Sequence, residues 1–182
     1  MPVYVSMLRG INVGGHKKIR MDQLRASFEA LGFERVKTYI QSGNVAFTAP
    51  KAAPVGLCKK IETRIQGDFG HSVSVVVRTA EEMNQVLNNN PFLKDNGIDP
   101  EKLHVMFLSN APEPSAMEKV AVLASLPQQV RCIGQELYLY LPNGVAESFV
   151  MKKPVDRLLG VVTTMRNWRT VSTIHQMCQD CH

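Results

Sequence analysis

A strand, a glycine-rich basic connection, an amphipathic helix and a tight hairpin follow one another within the first 49 residues. That order restricts the fold more than any other feature of the chain. Residues 3–8 are apolar on both faces, with Val3, Val5 and Met7 on one side and Tyr4 and Leu8 on the other, as in a central strand covered from both sides. Met21, Leu24, Phe28 and Leu31 fall at helical spacing, and Gly32 supplies a stop. Residues 36–40 and 44–47 read as strands joined through Gln41-Ser42-Gly43. Leu57, Ile61 and Ile65 predict a second helix ending near Gly67 or Gly70, and residues 73–78 a fourth strand. The resulting order is β-α-β-β-α-β.

The pattern then recurs. Thr79 and Glu82 stand in capping-box spacing at the start of a connecting helix over 79–90, and a polar linker runs to Pro100. Residues 103–108 form a strand, and Met117, Val120, Ala121 and Ala124 mark a helix. Residues 130–133 and 137–141 form a hairpin around Gly134-Gln135. Residues 146–160 read as helix broken at Pro154, residues 161–164 as a short last strand, and Trp168, Val171, Ile174 and Cys178 as a closing helix. The expected fold class is α+β: two tandem ferredoxin-like (β-α-β-β-α-β) plaits, the second with an extra C-terminal helix. The expected division is a first subdomain over 1–78, a connecting helix and linker over 79–102, and a second subdomain over 103–182.

No apolar run approaches the ~18 residues of a membrane span, and the first ten residues lack the pattern of an export signal. The expected location is therefore cytoplasmic, with no membrane partner and with Cys58, Cys132, Cys178 and Cys181 as reduced thiols. The net charge of +5 is unevenly spread. Arg9, Lys17, Lys18 and Arg20 occupy the first 21 residues without an acid. Lys152, Lys153, Arg157, Arg166 and Arg169 gather late against Asp156 alone, while the middle is acidic. That asymmetry suits an anionic partner at one end, and equally a solvated surface.

At LRGINVGG, LGF, TYIQSGNV and the late TMRNWRTV the chain resembles the bacterial "domain of unknown function 1697" family, from residue 3 to about residue 176. The resemblance implies two α/β plait subdomains. It implies no activity, substrate or catalytic residue, and the closing CQDCH lies outside it.

The strongest candidate site is the run from Arg9 to Lys18. Glycines let backbone amides approach an anion, lysines add charge, and a helix start follows. The run is neither a P-loop nor a dinucleotide fingerprint, because no Gly-Lys-Ser/Thr follows and the glycine spacing differs. Arg9, Asn12, Gly14, Gly15, Lys17 and Lys18 are the expected contacts, with Gln41, Ser42 and Asn44 of the hairpin as lining. Arg166 and Asn167 would reach the same anion from the late basic segment. The competing reading makes Asn167 a helix cap and Trp168 an anchor. Ser42 has no nucleophile elbow and no assigned base, so it reads as a turn residue, and no catalytic residue is assigned. His175, Cys178, Cys181 and His182 share a helical arc, but at a fraying terminus they read as tail, with no metal expected. His16, His71 and His104 have no carboxylate at telling spacing. No cofactor is implied.

The leading functional expectation is binding of an anionic small ligand, phosphorylated or a nucleotide, at the basic loop. One alternative is a transferase-like enzyme acting on a phosphorylated metabolite. The other is an RNA-binding module, disfavoured because only Tyr4 and Phe47 offer aromatics on the two central strands of the first half.

Overall fold

The computed structural model describes residues 1–181. Two compact units divide the chain: Met1–Gln85 together with Thr173–His182, and Val86–Ser172.

The first unit is built on a four-stranded antiparallel sheet in the order β2-β3-β1-β4. Its strands are β1 (Val3–Leu8), β2 (Glu34–Tyr39), β3 (Asn44–Thr48) and β4 (Val75–Thr79). Every residue of β1 is buried, as its two-sided apolar pattern requires. One face carries Tyr4, Leu8, Val45, Phe47, Val75 and Val77 into a core shared with helices α1 (Met21–Glu29) and α2 (Pro54–Phe69). Phe47 sits at the centre of that core, with ring centroids 4.5 Å from Phe33, 5.4 Å from Phe28 and 5.8 Å from Tyr4. Tyr4 and Phe47 are thus core side chains. Helix α2 opens on Pro54 and closes on Gly70, whose φ of 70° is the left-handed cap that glycine accepts best.

The second unit repeats the arrangement with β5 (Leu103–Leu108), β6 (Gln129–Ile133), β7 (Glu136–Tyr140) and β8 (Thr163–Asn167), in the antiparallel order β6-β7-β5-β8. Helices α4 (Pro114–Ala121), α5 (Phe149–Lys152) and α6 (Val155–Leu159) frame a core of Met106, Leu108, Val120, Leu137, Leu139 and Leu141. The break between α5 and α6 falls at Pro154, as expected from its missing N–H. Both halves are mixed α/β subdomains, so the duplication read from the pattern is present at the level of sheet order.

Helices α3 (Ala80–Asn88) and α7 (Trp168–Gln179) each cross the division between the units. The expected division kept the closing helix wholly with the second half, whereas its last residues group with the first unit. Three contacts give the reason. The Arg35 guanidinium donates to the Cys181 carbonyl at 2.7 Å, the Lys37 ammonium to the Asp180 carbonyl at 3.4 Å, and the His175 ring meets the Asn84 side chain at 3.3 Å. Among the described residues, no helix is long and apolar enough to cross a membrane.

Candidate functional site

The connection from β1 to α1, residues 9–20, folds into a small hairpin of its own. The Asn12 amide donates to the Lys17 carbonyl at 3.1 Å, and the His16 amide to the Val13 carbonyl at 2.9 Å. The two residues between Val13 and His16 are Gly14 and Gly15, with φ of 57° and 76°. Positive φ at both central positions is what a two-residue turn of this hand demands, and glycine meets it without steric cost. Ile11 and Ile19 are buried at the base, anchoring both legs in the core.

Asn12 locks this hairpin to the rest of the unit. Its side-chain amide donates to the Ile19 carbonyl at 2.9 Å and to the Gln41 carbonyl at 2.8 Å, and its side-chain oxygen accepts from the Ile19 amide at 2.8 Å. The residue sits at φ 54°, a region asparagine tolerates better than most. Asn12 therefore supports the loop, its side-chain polar atoms engaged by backbone groups of both segments. The β2–β3 turn comes close for the same reason. A methyl group on Gly43 would lie 2.7 Å from Ile11 Cδ1 and 3.0 Å from Leu8 Cβ, closer than packed carbons allow. Asn44 is buried and donates to the Tyr39 carbonyl and to Ser42 Oγ, both at 3.0 Å, so Ser42 and Asn44 build the turn.

A third connection, between α2 and β4, joins them. The Arg9 amide donates to the Ser74 carbonyl at 2.9 Å, and the Lys17 ammonium to the Ser72 carbonyl at 2.7 Å. Three loops thus meet at one end of the first sheet. Gly14, Gly15, His16, Lys17 and Lys18 are exposed there. The Lys18 Cε lies 3.9 Å from the place a Gly15 methyl would take, and the His16 ring 3.7 Å from that of Gly14. The Arg20 guanidinium is matched by Asp22 at 2.8 Å.

Of the expected contacts, Arg9, Asn12, Gly14, Gly15, Lys17, Lys18, Gln41, Ser42 and Asn44 gather at this end. Arg166 and Asn167 belong to the second unit. Arg166 lies on β8 opposite Val105, buried, with its guanidinium donating to Thr164 Oγ1 at 2.7 Å and to the Met165 carbonyl at 3.0 Å. Burial pushes its pKa down to about 10. Asn167 caps α7, accepting the Thr170 amide at 2.8 Å. The first unit holds a counterpart that the sequence reading passed over. Buried Arg78 lies opposite Val5 on β4, directly before the capping box of α3. The available signal was the repeat itself, since both last strands run through an arginine into a capping residue.

A second basic surface, the groove lined by Leu31, Lys59, Lys60, Arg64 and Asp68, is less open to an anion. Lys60 donates to the Leu31 carbonyl at 3.1 Å and sits over the Phe33 ring, and Arg64 pairs with Asp68 at 2.7 Å. At the closing helix Cys178 and Cys181 are buried, and His182 lies outside the described residues. Among the described residues, no three His, Cys, Asp or Glu side chains group as metal ligands.

The sequence profile of one protein family matches residues 1–138, well over half the chain. The chain belongs to the family described as Protein of unknown function (DUF1697). The matched DUF1697 region contains the glycine hairpin and the β2–β3 turn, whereas TMRNWRTV lies beyond it. Among solved structures, the conserved bacterial protein SP0830 from Streptococcus pneumoniae is similar, with a TM-score of 0.76 at 24% identity over 97% of this chain and 98% of that one. A likeness at that identity shows the fold alone. No curated protein matches. Membership in DUF1697 carries no assigned function, so chemistry has to be argued from the site.

Proposed function

We propose that this DUF1697 chain binds an anionic, phosphorylated small ligand at the glycine hairpin of its first unit. One observation carries the reading: the second unit makes the same strand-to-helix connection without such a loop. In both units the first strand ends on equivalent bonds, Leu8 to the Gly43 carbonyl and Arg9 to the Ser74 carbonyl, Leu108 to the Gln135 carbonyl and Ser109 to the Val162 carbonyl. The second unit then reaches its helix through residues 109–113, less than half the length of residues 9–20. The first unit's longer hairpin is pinned by the three Asn12 side-chain hydrogen bonds, the Lys17 bond to the Ser72 carbonyl and two buried isoleucines. Rigid loops of this kind on a fixed frame are where proteins place binding groups.

The chemistry suits an anion. The Gly14 and Gly15 amides have no partner among the described residues, and Lys18 and His16 lie over the same turn. Backbone donors beside an ammonium group hold phosphate oxygens by charge-assisted bonds. Two related readings go with this one. Each unit is a ferredoxin-like plait, a reading supported by the sheet order with its outer strands at β2/β4 and β6/β8. A cytoplasmic site of action is supported by four free cysteines.

The test is thermal stabilisation by orthophosphate and ribose 5-phosphate, which binding to the folded state must produce. Saturable stabilisation, weakened by salt and lost in Lys18→Ala, is expected. A flat response at millimolar ligand overturns the reading.

A further inference from the structure

We infer that the ligand of the hairpin is a nucleoside phosphate, its base lying on the side chains of Val13 and Ile40. The inference rests on the anion site proposed above and adds what the rest of the ligand must be. The Asn12–Gln41 bond ties two loops together, and the residues flanking it are Val13 on one loop and Ile40 on the other. Both are β-branched and apolar, and both are exposed, at 65% and 46%. Single exposed apolar residues need no explanation, but these two adjoin the hydrogen bond that ties the loops, and Val13 directly precedes the Gly14–Gly15 turn.

Ile40 makes the argument stronger. Its φ is 48°, a conformation that β-branched residues avoid and that asparagine or glycine takes readily. A turn chosen for stability alone would not hold isoleucine there. Its side chain is also not repaid by burial. The structure therefore keeps an apolar group facing outward at a conformational cost, which is the mark of a contact surface.

A ligand engaging both features is anionic at one end and apolar at the other, and a nucleobase supplies the apolar end. The phosphate meets the Gly14–Gly15 amides, Lys18 and His16. The base covers Val13 and Ile40, because aliphatic side chains pack against the π-face of any base without hydrogen-bond readout. Inorganic phosphate and sugar phosphates satisfy only the first half of the site. Ligand sites combine apolar walls with a few placed polar groups in this way.

The experiment compares the four nucleoside 5′-monophosphates with ribose 5-phosphate and orthophosphate, by thermal shift and calorimetry on the full chain. At least one nucleotide is expected to bind about tenfold more tightly than ribose 5-phosphate, which carries an anomeric hydroxyl in place of the base. A Val13→Ser/Ile40→Asn variant should erase that difference and leave ribose 5-phosphate binding unchanged. Asparagine accepts the left-handed conformation at position 40, so the variant is expected to fold, checked by its unchanged circular dichroism. Equal affinity for ribose 5-phosphate and every nucleotide overturns the nucleoside inference while leaving the anion site standing. Nucleotide preference that survives in the double variant also overturns it, by placing the base elsewhere. Binding of oligoribonucleotides without any mononucleotide overturns it in favour of a nucleic-acid backbone. No response to any phosphate removes the anion site and this inference together.

Discussion

The Asn12 side-chain amide donates to the Gln41 carbonyl at 2.8 Å, joining positions 29 apart in the chain. This bond is the hinge between two segments that sequence inspection could only treat separately, the glycine-rich loop and the β2–β3 turn. Its effect is to convert a flexible-looking connection into a fixed platform. A site on such a platform binds without first paying the entropy of ordering its loop.

Removing that platform should be measurable. Asn12→Ala deletes three side-chain hydrogen bonds and places alanine at φ 54°. The expected loss is roughly 2–3 kcal/mol in urea unfolding, or a fall of about 5–10 °C in Tm. Asn12→Gly, which accepts the same φ, should lose about 1 kcal/mol less. Equal stability of Asn12→Ala and wild type would mean that the loop is held by Ile11 and Ile19 alone.

The two glycines that flank the loop base should differ in their tolerance of a side chain. Gly43 has φ 80°, and a methyl added there would lie 2.7 Å from Ile11 Cδ1, whereas Gly10 has φ 68° with nothing within 4 Å of an added methyl. Gly43→Ala combines left-handed strain with overpacking, for a cost of roughly 2–4 kcal/mol. Gly10→Ala carries strain alone, about 1 kcal/mol. Denaturant midpoints of the two variants decide it, and a smaller loss at position 43 would contradict the packing described.

Cys178 should make stability fall in alkali. Burial, with a smaller contribution from Cys181, pushes its thiol from 9.0 up to about 12. The unfolded chain releases this proton near pH 9 while the folded chain keeps it, so unfolding is favoured as pH rises above about 9. The stabilisation is fully present below that point and is lost progressively toward the folded value. In urea titrations, the stability difference between wild type and Cys178→Ala should shrink by up to about 1.4 kcal/mol per pH unit above 9. A constant difference from pH 8 to 10 would show that the thiol is not held neutral by the fold.

His104 should act on the acid side. Burial lowers its pKa from 6.5, outweighing a backbone interaction at Lys102 that acts the other way, and its Nδ1 has no hydrogen-bond partner among the described residues. A group whose folded pKa is depressed gives stability that is present above its unfolded pKa and lost as pH falls. Wild-type stability relative to His104→Gln should therefore decline from about pH 6.5 downward. Ring signals followed by NMR would show protonation only below the ordinary histidine range.

Much of the local structure was legible because local chemistry decides it. Thr79 and Glu82 form the reciprocal capping box their spacing announces, at 2.7 and 3.1 Å. Asn167 caps α7, and the two hairpins turn where Gly43 and Gly134 stand. Arg78 escaped notice because buried and exposed arginines look alike in a strand of alternating residues. Asn12 looked like a ligand contact, since nothing in a glycine loop reveals which way a side-chain amide points.

By itself the amino-acid sequence determined the alternation of strands and helices, their caps and turns, and the duplicated order. Periodicity and positive-φ residues act over a few positions and need no distant partner. Only the tertiary structure decided that residues 9–20, 40–43 and 70–74 share one end of a sheet, and that the tail of α7 belongs with the first unit. Those outcomes depend on contacts such as Asn12 with Gln41 and Arg35 with Cys181, whose partners are 29 and 146 positions apart and leave no spacing to read.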